Sequence, residues 1–164
     1  MAYELLTISP AELYHLTKRE NLERILQDGR IRPGDGMECW FCLSLPDMLR
    51  YMEYTVMDEG QPYVADNYTL KRYPKFEPQD YVILKLIPRY QNGQWVRWNQ
   101  EFPPGASPEL LEQGEEFSHL KVGFRGALKF RAGPEIIEVA PLLAEHLAAE
   151  CQENAGAHGP QLNM

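Results

Sequence analysis

No apolar run in the chain approaches the roughly 20 residues that a membrane-spanning helix needs. The first residues carry no basic stretch followed by an apolar core, so no secretory signal is expected. Cysteine is scarce: three residues, an odd number, fit a reducing, cytoplasmic setting better than a disulfide framework. Cys39-Trp40-Phe41-Cys42 stands without a second pair, whereas a zinc site needs four ligands. On a strand, residues three apart face opposite sides, so these two thiols would not share a metal. A redox motif would place the pair at the start of a helix, and here the helix begins only at Pro46. No metal site is therefore expected, and both cysteines read as buried structural residues. Basic charge is also short. Sixteen Lys and Arg face 24 Asp and Glu, a net charge of −8, which argues against a general affinity for phosphate backbones or anionic membranes. No internal repeat is visible, which sets solenoids aside.

What is present suits one globular domain over residues 1–150, with a disordered tail over 151–164. Hydrophobic residues make up 44% of the 164, enough to build a core without staples. Strand and helix patterns are both present, so the expected class is α+β. Residues 13–16, 39–44, 81–88 and 94–99 read as strands, and 18–28 and 46–57 as helices. Asn92-Gly93 lies between two strand-like runs and predicts a hairpin over 81–99, because both turn residues accept positive φ. Residues 58–80 read as a long loop, with Tyr63, Tyr68, Tyr73 and Phe76 among Lys71, Arg72 and Lys75, a mix able to stack a flat ring and contact phosphate. Ser107 and Pro108 open a short helix that Gly114 stops. Phe117 onward then gives short strands, and Pro141 starts a last helix.

The stretch LYHLTKRENLERILQDGRIRPG, Leu13 to Gly34, reads as strand, turn, helix, turn. Thr17-Lys18-Arg19-Glu20 fits a capping box, Leu22, Ile25 and Leu26 give one apolar face, and Gly29 suits a left-handed stop. His15 falls at the end of the strand, where a polar side chain can reach a ligand.

Tyr14-His15-Leu16-Thr17, Asn21-Leu22, Ile25-Leu26, Gly29 and Ile31 to Pro33 together resemble the opening of the ADP-ribosyltransferase fold. That superfamily includes DNA-targeting ADP-ribosyltransferase toxins and tRNA 2′-phosphotransferases. The resemblance implies a split mixed or antiparallel sheet with a few flanking helices, and NAD as substrate. It implies that His15, the backbone of Leu16 and Thr17 hold the ribose and nicotinamide. Ser44 falls where such families place a small hydroxyl residue of the nicotinamide pocket. The residues themselves also fit Ser44 as the N-cap of the following helix, with Asp47 at N3.

A transferase of this kind needs a carboxylate beside the ribose, to stabilise charge developing at the anomeric carbon. The resembling families place it at the opening of a late strand. Glu116, just ahead of Phe117, fits that place best by strand counting. Glu115 stays open through the Gln113-Gly114-Glu115 spacing, and Glu135 is the further candidate because it opens EIIEV. His119 is an additional polar residue of the same region. The implied activity is NAD-dependent mono-ADP-ribosyl transfer, or a related NAD-using transfer, in a bacterial or phage setting. The acidic charge favours a protein or small-molecule acceptor over nucleic acid. The alternative is an inactive member of the fold that serves as a binding or interaction module.

Overall fold

The structure is a computed structural model that describes residues 2–34, 36–64 and 69–162, with the side chains of Val64 and of 154–162 left aside. The elements are β1 (Tyr3–Leu6), β2 (Leu13–Lys18), α1 (Leu22–Asp28), β3 (Arg30–Ile31), β4 (Glu38–Phe41), α2 (Leu45–Tyr54), β5 (Pro62–Val64) and β6 (Leu70–Arg72). They continue with β7 (Tyr81–Leu86), β8 (Trp95–Trp98), α3 (Pro108–Leu120), β9 (Val122–Arg125), β10 (Leu128–Lys129), β11 (Glu135–Glu138) and α4 (Val139–Leu162). The class is α+β, and every strand pair among the described residues is antiparallel. No helix among the described residues is long and apolar enough to cross a membrane.

Two sheets carry the architecture. One runs β1-β8-β9-β4 and the other β11-β7-β2. They meet at one residue pair, where Tyr14 and Cys42 exchange N–H···O bonds of 2.9 Å in both directions. The strand β7 explains why this centre holds. Val82, Ile83, Leu84 and Leu86 are all buried, because β2 and β11 flank β7 and both of its faces are covered. Leu84 and Leu86 join Leu13, Phe41, Phe124 and Ile25 of α1 in one core cluster. Ile83 joins Met48 and Met52 of α2 and Val139 of α4 in the other.

The expected 81–99 hairpin does not form. β7 and β8 belong to different sheets, and neither Asn92 nor Gly93 takes a positive φ. The connection is held by another partner: Arg89 N–H donates to Lys129 O, Arg131 N–H to Ile87 O, and the Gln91 side-chain amide bonds both the N–H and the O of Lys129. Gly93 is needed for space instead, since a Cβ there would lie 2.2 Å from the Phe124 ring.

Helix ends show a similar pattern of agreement and correction. Gly29 ends α1 at φ 68°, donating to Ile25 O. Ser44 caps α2 through Asp47 N–H at 3.2 Å. The capping box at Thr17 is absent, because β2 stays paired with β7 through Lys18 and Thr17 sits in that ladder opposite Val82. Gly114 does not stop α3, which continues to Leu120. The glycine instead admits Phe102, whose ring a Cβ would meet at 2.3 Å. Ser118 fixes the same crossing, donating to Gly114 O and accepting from Gln100 N–H. The 58–80 loop contains its own small sheet, β5 with β6. Tyr68 of that stretch and Asp35 of the Pro33–Gly36 turn lie outside the described residues. The backbone of α4 runs on through the segment expected to be a disordered tail, as far as Leu162.

Candidate functional site

The cleft lies where the two sheets meet. Its volume is about 500 Å³, and His15, Leu16, Trp40, Tyr51, Tyr63, Tyr73 and Lys121 are among its walls. β2 supplies His15 one residue beyond the Tyr14–Cys42 join, and β4 supplies Trp40 on the opposite side. His15 Nδ1 lies 3.0 Å from Trp40 O. A carbonyl can only accept, so Nδ1 carries the proton and Nε2 is left as an acceptor. The ring packs on Phe41 at 5.4 Å between centroids. Burial holds the imidazole pKa below its ordinary value, so His15 is neutral at pH 7.

Tyr63 and Tyr73 stack at 4.2 Å and form one aromatic wall, contributed by the 58–80 stretch. Tyr51 forms part of another, stacked on Phe117. Its phenol is pushed well above the usual tyrosine range by burial. Lys121, between α3 and β9, places its ammonium 4.5 Å from the Phe117 ring, 4.7 Å from Trp40, 5.8 Å from Trp98 and 5.9 Å from Tyr51. Desolvation lowers its pKa to about 8. Glu38 is the single carboxylate among the described residues that line the cleft. It is buried and lies 3.6 Å from Arg125.

The residues singled out in the sequence divide. His15 and Leu16 border the cleft; Thr17 and Ser44 do not. The Thr17 hydroxyl accepts from Asn21 Nδ2, and Ser44 is occupied as a cap. Glu115 and Glu116 lie on the exposed side of α3 rather than at the opening of a strand, because the helix continues through Gly114. Glu116 accepts from Arg50 at 2.9 and 3.1 Å and from the Tyr54 hydroxyl, which ties α3 to α2 and holds its carboxyl below the usual range. Glu135 does open β11, but it faces Lys85 in register and borders a separate hollow with Glu12. His119 is exposed, with Nδ1 on Glu115 O. Cys39 and Cys42 fall in different core clusters, with thiols pushed up to about 11 and about 12 by burial. No group of potential metal ligands occurs among the described residues.

Sequence reasoning missed Trp40, Tyr51 and Lys121. Trp40 and Lys121 were readable only as members of apolar strands. A lone lysine between His119-Leu120 and Val122-Gly123 was the available signal.

Comparison with protein-family models, curated proteins and solved structures finds no match.

Proposed function

We propose that the His15 cleft binds an NAD-type dinucleotide, and that the chain transfers ADP-ribose from it to an unidentified protein or small-molecule acceptor. The observation that carries this reading is the fixed tautomer of His15. A neutral imidazole, anchored through Nδ1 and carrying a lone pair on Nε2, is suited to accept from a ribose hydroxyl. The aromatic walls supply flat faces for a nicotinamide or adenine ring. In this reading Glu38 takes the carboxylate role first sought in Glu116, Glu115 and Glu135, since it alone of the four borders the cleft.

The alternative, a binding module without transfer, is favoured by one feature: a cation, Lys121, projects among the walls where a transferase has use for an anion.

Thermal shift with NAD, together with assay of nicotinamide release, tests both readings. NAD at 100 times its Kd is expected to stabilise the wild type by about 2.7 kcal/mol, and His15→Ala to abolish the shift. Glu116→Gln and Glu135→Gln should bind and turn over as the wild type does. Glu38→Gln should keep binding and lose on the order of a hundredfold in turnover. A flat response of the wild type to millimolar NAD sinks the proposal. A shift without nicotinamide release under any acceptor pool selects the binding module.

A further inference from the structure

Lys121 carries a feature that a ligand ring alone does not explain. Among the described residues, no hydrogen-bond acceptor and no carboxylate meets its Nζ, although the side chain is half-buried among rings, with its end open to the cleft. Four ring faces and the Cys42 thiol surround it; the rings attract a cation but leave its three N–H donors without an acceptor from the protein. A partly desolvated charge is stabilised by an anionic partner. The open side of the cleft is where a partner can enter. The wider charge balance points the same way. Lys18, Arg32 and Lys121 border the cleft against Glu38, in a chain whose net charge is −8. Glu38 already lies beside Arg125 and is not directed to Lys121 by any contact.

We propose that Lys121 is the anion receptor of the cleft, its ammonium group seating a phosphate of a ligand whose flat ring lies against the aromatic walls. The ligand class is therefore an aromatic phosphate ester of the nucleotide kind. This deepens the dinucleotide reading by naming the group that Lys121 holds, but it rests on the cleft alone and stands for any nucleotide. Phosphate supplies the acceptors that the protein does not give the three N–H donors, and the surrounding rings lower the local dielectric at the contact.

Titration calorimetry with ADP and with inorganic pyrophosphate tests the assignment, on the wild type, Lys121→Met and Lys121→Arg. Methionine keeps length and apolar bulk without charge. The wild type is expected to bind both probes, and ADP more tightly because the ring adds contact. Lys121→Met should lose at least tenfold in affinity for each, and Lys121→Arg should retain most of it. Lys121→Met should also melt higher than the wild type without ligand, as expected when a buried, unpaired charge gives way to an apolar group. Wild-type affinity unchanged in Lys121→Met overturns the proposal, as does a wild type that binds neither probe. So does a lower unliganded melting temperature in Lys121→Met, which would make the lysine structural. ADP binding that depends on Lys121 while NAD gives no shift upholds this inference and removes the NAD reading, so the two failures are distinguishable.

Discussion

Phe41→Ala is expected to lower the unfolding free energy by about 3–5 kcal/mol, the usual cost of emptying a fully buried aromatic site. Phe41 is 1% exposed and sits in the core cluster with Leu13, Leu84 and Phe124. Its ring also contacts Trp95 at 6.2 Å and His15 at 5.4 Å. The void cannot close easily, because both neighbours are fixed in hydrogen-bonded strands. Urea unfolding should show a lower midpoint with an unchanged slope, the mark of lost stability rather than a changed denatured state. His15 would lose the ring beneath it and keep only the Trp40 carbonyl, so ligand-induced stabilisation should fall as well. Phe41→Leu, which retains most of the apolar volume, should cost distinctly less. A Phe41→Ala loss below about 1 kcal/mol would contradict the packing described.

The second large effect is a pH dependence set by Lys121. Folding lowers its pKa from 10.5 to about 8. Between those values the unfolded chain holds a proton that the folded chain has released, so stability rises with pH across the window. At 1.36 kcal/mol per unit, the full difference is about 3 kcal/mol. Below pH 8 the wild type bears that whole penalty, and above 10.5 it bears none. Lys121→Met is free of it throughout. The stability gap between variant and wild type should therefore shrink by about 3 kcal/mol from pH 7 to pH 10.5. The absolute curve will not show this alone. Cys39 and Cys42 have thiols raised to about 11 and about 12, and Tyr51 is raised too. These groups stay protonated in the fold while the unfolded chain ionises, which lowers stability as pH climbs past 9.0, the ordinary thiol value. Guanidinium melts of both proteins across this range measure the difference directly. A gap that stays constant with pH would show that the Lys121 ammonium is not desolvated.

The sequence made local signals readable where the deciding contact was itself local. Gly29 needed only its own φ, and Ser44 only the amide of Asp47 three residues on. The errors share one cause, a distant partner outweighing a local preference. Asn92-Gly93 has strong turn chemistry, yet residues 129–131 hold the connection and the Phe124 ring fills the space beside Gly93. Gly114 looks like a helix stop and is a seat for Phe102. Glu116, expected just ahead of a strand at Phe117, lies instead inside the continuing helix α3. The paired strand β1 went unread for the same reason, since Tyr3–Leu6 has no pattern apart from its partner β8. In the site, the strand that carries His15 was legible, but it runs on to Lys18 through its pairing with β7, so His15 lies within the strand rather than at its end before a cap. The aromatic cage of Lys121 could not follow, because its rings come from β4, α2, β8 and α3, which only the fold brings together.

The join between the two sheets has a mechanical side. Each sheet is cross-linked along its interior strands, β7 in one and β8 and β9 in the other, by ladders on both edges. Among the described residues, the backbone seam between them is the Tyr14–Cys42 pair with its two hydrogen bonds. The His15–Trp40 bond spans the same seam, one residue from the first join and two from the second. The two leaves are thus stitched thinly at the backbone, the imidazole being one of the stitches, and joined by a shared apolar core in which Leu13, Leu84 and Leu86 of one pack with Phe41, Val122 and Phe124 of the other. Whatever occupies Nε2 therefore bears on a side chain that already spans the seam between the two sheets.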